Sequence, residues 1–387
     1  MVFGWILKGG HFVKVLYTAT MLSHICQFHL PHLKRLREEG NEVHVAANDN
    51  LAVKNGLELK YTDCFFDIPF ERSPFAAKNY SAYKKLKEVI NNGKYDLIIC
   101  NTPVGGILTR IACKDSRKHG AKVIYVAHGF HFYKGAPKTN WVLYYPLEKY
   151  MANLCDAVVT INYEDYKFAK EHFPGKVMHI HGVGVSSERY HPAELEKQEQ
   201  MRETYGLENN DFAIICTGEL NENKNQKTLI DAVAILKNSI PNLKVLLAGN
   251  GPSEEKIKEH IKSLKLEKNI KLLGYRTDLE QIVPAVDLVV SCSRREGMPL
   301  NIIEAMLCKK PVVASINRGH SELIDDQVNG FLIQADDPQK FAERILTLYE
   351  NGELKQNMGE AGFQKAQKYT VDSVAEEIMT IIKEVVV

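Results

Sequence analysis

The sequence predicts an α/β protein of two domains, each a doubly wound parallel sheet, and three observations carry that prediction. Short β-branched runs alternate with helical stretches, the signature of βαβ units. Six such runs precede residue 185 and six follow residue 210, so the halves share an architecture. The length of 387 residues suits two or three domains of ~100–200 residues each.

Taken in order, the first-half strands are expected at Val13–Tyr17, Glu42–Ala46, Leu97–Cys100, Lys122–Val126, Ala157–Ile161 and Val177–His181. The second-half strands are expected at Phe212–Thr217, Lys244–Ala248, Ile270–Leu273, Leu288–Cys292, Pro311–Ala314 and Gly330–Ile333. Gly, Ser and Pro followed by a charge run make Val185–Lys197 the expected linker. Val371, Val374, Ile378, Ile381 and Ile382 recur at helical spacing, so 370–387 reads as a helix. It either caps the second domain or, the reading preferred, crosses back to the first. The domains are therefore 1–190, 191–369 and the closing helix. Two such sheets are expected to face each other across a cleft, with ligands beyond the carboxyl ends of their strands.

Composition excludes several classes. Hydrophobic residues make up 45% and charged residues 25%, which is ordinary globular usage and not that of a disordered or fibrous chain. Lys+Arg is 49 against Asp+Glu 48, a balance that argues against bulk nucleic-acid binding. The eight cysteines form no C-x-x-C pair and sit mostly in apolar runs, so they read as buried free thiols of a reducing compartment. No apolar run reaches the ~20 residues of a membrane span. Residues 1–12 lack signal-peptide character and read as an extension before the first strand. The expected location is the cytoplasm, with contact at the inner face of the cell membrane.

Four post-strand stretches of the second half carry chemistry. In CTGELNENKNQKTLIDAV (216–233), Gly218 turns the chain and Lys224 meets a helix N-terminus, an arrangement suited to an anion such as phosphate. A solvated loop lysine is the alternative. Gly249-Asn250-Gly251 allows close backbone approach but fails the dinucleotide fingerprint. Gly274-Tyr275-Arg276 follows a strand, so Tyr275 either flanks a base or belongs to a turn capped by Thr277 or Asp278. The sharpest stretch is SRREGMPLNIIEAMLCKKPVVAS (293–315). Glu296 lies in a loop and Glu304 on the helix that follows it, expected from about Asn301 to Cys308. The amides of Gly297, Met298, Pro299 and Leu300 stand near the helix start, with proline supplying no N–H. A carboxylate there accepts from paired sugar hydroxyls.

These residues, with AGNGP (248–252), LGYRTD (273–278) and RGHSELIDDQVNGFLI (318–333), resemble retaining glycosyltransferase family four. That family has the GT-B fold of two Rossmann-like domains, and the resemblance covers nearly the whole chain. In the first half, YVAHGFHFYKGAP (125–137) and 18–48 look like the bacterial capsular and exopolysaccharide subgroup. The resemblance implies a nucleotide-diphosphate-sugar donor, UDP-linked, retention of anomeric configuration, no metal at the diphosphate and no other cofactor. It implies His128, Lys224 and Glu296 as catalytic residues. Donor contacts would come from Gly218, Glu219, Lys224, Gly249, Asn250, Tyr275, Arg276, Arg294, Glu296, Gly297, Met298, Pro299, Leu300 and Glu304. His24, Phe130, His131 and Lys134 would face the acceptor, a glycan or a polyprenyl-diphosphate-linked glycan. Glu219 departs from the pattern, because the family commonly has a diphosphate arginine there. Arg276, Arg294 and Arg295 are the expected substitutes.

Loss of a nucleoside diphosphate from the anomeric carbon builds negative charge on the leaving group, so cations and helix N-termini are what the site must supply. No first-half carboxylate stands where a covalent nucleophile would, which favours same-face attack. The aromatic segment 130–151, with Trp141, Tyr144, Tyr145 and Tyr150, is either a membrane-interfacial surface or helix packing. A UDP-sugar 2-epimerase and a catalytically silent sugar-nucleotide-binding partner are the alternatives to a transferase.

Overall fold

The structure, a computed structural model, describes residues 13–53 and 56–386. The expected extension at residues 1–12 lies outside them. The chain forms two compact units, one running to Gly184 and resuming at Val371, the other spanning Val185–Thr370.

The first unit holds β1 (Lys14–Met21), β2 (Glu42–Asn48), β3 (Cys64–Asp67), β4 (Leu97–Asn101), β5 (Lys122–Ala127), β6 (Ala157–Thr160) and β7 (Lys176–His179). They form one parallel sheet in the order β3-β2-β1-β4-β5-β6-β7. Parallel strands covered on both faces read as continuous apolar runs, and β4 (LIICN) is buried at every residue. The expected set lacks β3. Its sequence, CFFD, is four residues long, partly exposed and paired only with β2 at the sheet edge, so neither alternation nor a buried run marks it.

The second unit holds β8 (Phe212–Thr217), β9 (Leu243–Ala248), β10 (Ile270–Gly274), β11 (Leu288–Ser291), β12 (Val312–Ser315) and β13 (Gly330–Ile333). Their order is β10-β9-β8-β11-β12-β13, again all parallel. Successive residues alternate between faces: Ile214, Val245 and Val290 enter one core, Ile215, Leu246 and Val289 the other. Each sheet reverses its strand order beside its first strand, between β1 and β4 and between β8 and β11. Such switch points are where doubly wound sheets open a crevice at the carboxyl ends.

The expected linker at Val185–Lys197 divides: residues 185–190 form the packed start of the second unit, and 191–197 are largely exposed. The Val185 N–H donates to the Tyr369 carbonyl at 3.0 Å, and Val185 and Tyr190 are buried in its core. The closing helix, Val371–Val386, belongs to the first unit. Its buried face includes Val374, Ile378, Ile381 and Ile382. Arg35 on the helix Leu30–Glu38 pairs with Glu376 at 3.1 Å, and His181 pairs with Glu377 at 2.6 Å. All eight cysteines are free, and all but Cys64 are buried. Among the described residues no helix is long and apolar enough to cross a membrane.

Candidate functional site

In the second unit the predicted donor residues gather at the carboxyl ends of β8, β9, β10 and β11. Gly218 (φ +138°) and Gly249 (φ +148°) let two strand ends meet backbone to backbone. A Cβ on Gly249 would stand 2.0 Å from the Gly218 carbonyl oxygen, and one on Gly218 would stand 3.1 Å from Lys224 Cε. The Gly218 N–H donates to the Ala248 carbonyl (2.9 Å), the Gly249 N–H to that of Gly274 (2.8 Å), and the Leu220 N–H to that of Asn250 (3.0 Å). Tyr275, next along, is 75% exposed and presents a free ring face.

The loop after β8 is shaped by its own side chains. The Lys224 N–H donates to Asn221 Oδ1 (2.9 Å), and Gln226 Nε2 donates to the Glu219 carbonyl (3.0 Å). The helix runs Gln226–Leu236, with Asn225 in the left-handed region just before it and no side-chain cap. Lys224 Nζ then reaches across to Glu296 Oε1 at 2.6 Å. Glu219 is exposed and accepts from Asn221 Nδ2 at 2.9 Å.

Glu296 sits in the loop between β11 and the helix Leu300–Leu307. Pro299 precedes that helix without a side-chain cap; the Ile302 N–H donates to the Pro299 carbonyl at 3.1 Å, which leaves the N–H groups of Leu300 and Asn301 to a ligand. A Cβ on Gly297 would meet nothing within 4 Å, so the loop is open there. Met298 and Leu300 pack their side chains on the core beneath. Glu304 lies one turn into the helix. Burial pushes its carboxyl up to about 7, against the lowering effects of a Tyr190 hydrogen bond and of Arg189.

Sequence reasoning named no role for the residues that hold this loop. Ser315 Oγ and Asn317 Nδ2 both donate to the Ser293 carbonyl, the latter at 2.9 Å. His320 Nδ1 lies 2.7 Å from the Ser315 carbonyl and its Nε2 lies 3.1 Å from Ser291 Oγ, so this buried ring ties β11 to β12. A Cβ on Gly319 would come within 2.8 Å of the Gly297 carbonyl oxygen and 2.9 Å of Glu296 Cβ. RGHSEL was the available signal, but a supporting residue shows no chemistry in its own sequence.

The expected substitute cations are not free-standing. Arg276 forks onto Asp278, its Nε donating at 2.8 Å, and Asp278 also accepts from the Tyr205 hydroxyl at 2.9 Å. Asp278 therefore spends its carboxylate on these partners and places no side-chain cap on the helix Leu279–Ala285. Arg294 pairs with Asp336 and lies 3.4 Å from Asn225 Oδ1.

In the first unit, the expected acceptor residues divide. His24, Phe130 and His131 line a cavity of about 810 Å³ near the ends of β1, β4 and β5, whereas Lys134 does not. Phe130 is also core: it is 6% exposed and stacks on Phe132 at 4.9 Å. His131 stacks on Tyr144 at 4.8 Å. Lys134 is exposed, its N–H donating to Glu164 Oε1 at 3.3 Å. His128 Nε2 stands 3.2 Å from Asn101 Oδ1 and 3.4 Å from His24 Nε2. Burial holds the His128 ring well below the ordinary histidine range. Trp141 and Tyr145 pack against Phe132 and Phe168, so the packing reading holds for them. The same helix, Lys138–Met151, nevertheless exposes Val142, Leu143, Leu147 and Tyr150.

Comparison with known proteins places this geometry in context. Residues 197–365 match the family model described as glycosyl transferases group 1, and residues 7–162 match the one described as glycosyl transferase 4-like. EpsD of Bacillus subtilis (strain 168), a glycosyltransferase by name, is 42% identical over 95% of this chain and 96% of its own. The UDP-Gal:α-D-GlcNAc-diphosphoundecaprenol α-1,3-galactosyltransferase of Escherichia coli is 29% identical over 72% of this chain and 74% of its own. HepE of Anabaena superposes with a TM-score of 0.78 in its complex with UDP (24% identity) and 0.76 with UDP and glucose (25%), covering 96% of this chain and 100% of HepE in each.

Proposed function

This chain belongs to glycosyltransferase family four, of GT-B fold, and from that premise we propose that it moves a sugar from a UDP-sugar, with retention and without a metal at the diphosphate, to a lipid-linked glycan acceptor in cell-surface polysaccharide synthesis. The observation that carries the reading is the Lys224–Glu296 pair, 2.6 Å apart beside an uncapped helix start. In the free protein each charge balances the other. With donor bound, Lys224 turns to the diphosphate and Glu296 accepts from sugar hydroxyls. The charge that grows on the leaving group is met by the ammonium and by the amides of Gly297, Met298 and Leu300. Glu304 is assigned to the ribose hydroxyls and Tyr275 to the base.

Arg294 is the better second cation. Its Asp336 partner is 68% exposed, and exposed pairs contribute only about 0–1 kcal/mol, so a phosphate displaces that carboxylate at small cost. Arg276 is locked more firmly by Asp278, which Tyr205 also engages. The HepE complexes support UDP as the nucleotide. The name of the E. coli relative supports a polyprenyl-diphosphate acceptor. The apolar side chains left exposed on the helix Lys138–Met151 support contact with a lipid surface.

Thermal unfolding in excess chelator, with UDP, GDP, ADP, CMP and dTDP in parallel, tests the donor. A nucleotide at 100 times its Kd adds about 2.7 kcal/mol. Selective stabilisation by UDP is expected, and stabilisation by another nucleotide instead overturns the UDP assignment. Retention is read from the anomeric proton of the product by NMR, and a trapped covalent glycosyl-enzyme would sink same-face attack. His128 is assigned to the transferred sugar. His128→Ala is expected to lower turnover more than about ten-fold, as for loss of a positioned hydrogen-bonding group, with little change in UDP affinity. Unchanged turnover removes His128 from the reaction.

A further inference from the structure

The cavity of the first unit is apolar where a sugar, with its many hydroxyls, would need hydrogen-bonding partners. Its volume is about 810 Å³. Small-molecule sites span ~300–1,000 Å³ and are mostly apolar, with a few placed polar groups. Met21, Phe28, Pro103, Val104 and Ile107 line one part of it. The apolar wall continues outward into solvent. Leu143 and Leu147, one turn apart on the helix Lys138–Met151, line the cavity and stay exposed. Phe75 lines it too and is 93% exposed. Large apolar side chains grouped in water at the mouth of a cavity mark a surface that an apolar ligand covers.

Charge is uneven along this cavity. At its buried wall Glu148 pairs with the fully buried Arg110 at 3.0 Å, and that guanidinium stacks on Tyr125 at 3.8 Å. Those charges cancel where they stand. Arg72 also lines the cavity, is exposed, and makes no ion pair or hydrogen bond among the described residues. The loop that carries it is pinned by the buried Asn79. Asn79 Oδ1 accepts from the Glu71 N–H at 2.9 Å, and its Nδ2 donates to the Ser73 carbonyl at 2.8 Å. A guanidinium fork left open at an apolar mouth suits the paired oxygens of a phosphate group. Burial and this arginine bring His24 down to about 4, so the ring beside Arg72 is neutral. His24 lines the cavity and stands 3.4 Å from His128, the residue assigned to the transferred sugar. The cavity therefore meets the proposed reacting centre at His24 and carries its open cation close by.

We propose that this cavity takes the lipid end of the acceptor: Arg72 meets the diphosphate, and the first isoprenoid units lie between the apolar wall and Phe75, Leu143 and Leu147. The inference rests on the lipid-linked acceptor proposed above and deepens it, by naming the part of that acceptor held here and the residues that hold it. The balanced Arg110–Glu148 pair sets the orientation. It gives an anion no net attraction at the buried wall, so the diphosphate stays with Arg72 and the chain leaves over the exposed leucines. The occupant is a single polyprenyl diphosphate and not the headgroup face of a bilayer. An enclosed volume with one open cation fits one chain, whereas binding to an anionic surface draws on several cations spread across a face.

Calorimetric titration of the full chain with farnesyl diphosphate, below its micellar concentration and with UDP in excess, tests the site. UDP fills the donor site, so the probe's diphosphate is not read there. Expected is one equivalent bound, with no binding of inorganic diphosphate and with farnesol at least about ten-fold weaker, as for loss of a charged hydrogen bond. Arg72→Gln is expected to weaken farnesyl diphosphate about ten-fold or more for the same reason. Leu143→Asp, which sets a carboxylate in the path of the chain, is expected to do the same. Both positions are exposed, so folding is retained, and circular dichroism checks it. UDP affinity is expected to be unchanged in both variants. Full affinity for farnesyl diphosphate in either variant overturns the proposal, as does binding confined to phosphatidylglycerol vesicles. If UDP fails to bind while farnesyl diphosphate binds and both variants weaken it, the donor reading falls and the cavity assignment stands.

Discussion

Glu304 shows how one buried carboxyl couples stability to binding. Burial keeps it protonated up to about 7, whereas an exposed glutamate ionises near 4.5. Between those values the native chain holds a proton that the unfolded chain has lost. Its contribution to stability therefore falls as pH rises from about 4.5 to about 7 and stays low above that. Glu304→Gln removes this loss. Its urea midpoint is expected to match the parent near pH 4.5 and exceed it at pH 8, while its UDP affinity falls. A midpoint difference independent of pH would contradict that account. Lys224 is the complementary case. Lys224→Met leaves Glu296 without its 2.6 Å partner and removes the cation assigned to the leaving diphosphate. A drop in kcat/KM of about 10²–10³-fold is expected, comparable to removing one oxyanion donor. Both glutamates and the lysine were legible in the sequence, because their spacing from strand ends carries the signal. Arg276 and Arg294 were legible as charges, but Asp278 and Asp336, which engage them, were not.

At the scale of elements, the donor loop depends on a helix whose residues touch no ligand in the proposed reading. The helix Arg318–Leu323 begins with Asn317 accepting from the His320 N–H, and its Gly319 underlies Glu296 and Gly297. Gly319→Ala forces the loop outward or the helix down, because three neighbours stand within 3.0 Å of the new methyl group. The expected result is turnover reduced at least about ten-fold with a modest change in melting temperature, since misplacement of about 1 Å at a reacting centre can cost 10²-fold. Normal turnover in a normally folded Gly319→Ala would show that the loop does not rest on this helix. Ten of the twelve expected strands are matched at their cores by largely buried runs such as Phe212–Thr217, whereas Val177–His181 and Ile270–Leu273 become the partly exposed edge strands β7 and β10. The edge strand β3 escaped because an edge needs only one partner and little burial.

At the scale of the whole molecule, the chain leaves the first unit at Gly184 and returns to it at Val371. The closing helix buries Val374, Ile378, Met379, Ile381 and Ile382 there. Each such side chain contributes about 1.5–3 kcal/mol, and the sum is comparable to the ~5–15 kcal/mol that a domain has in total. Truncation after Thr370 is therefore expected to abolish the calorimetric transition of the first unit while UDP still stabilises the second. Survival of both transitions would show the helix to be dispensable. What the sequence determined by itself is whatever follows from local pattern: the alternation of strands and helices, the paired architecture and the family, whose motifs lie within short stretches of chain. Only the tertiary structure decided the rest. Gly319 lies 23 residues from Glu296, and His128 lies 104 from His24. The closing helix matters to a unit left 186 residues earlier. Such contacts are set by packing and by the order of strands in a sheet, and no local period encodes which distant ends the fold will bring together.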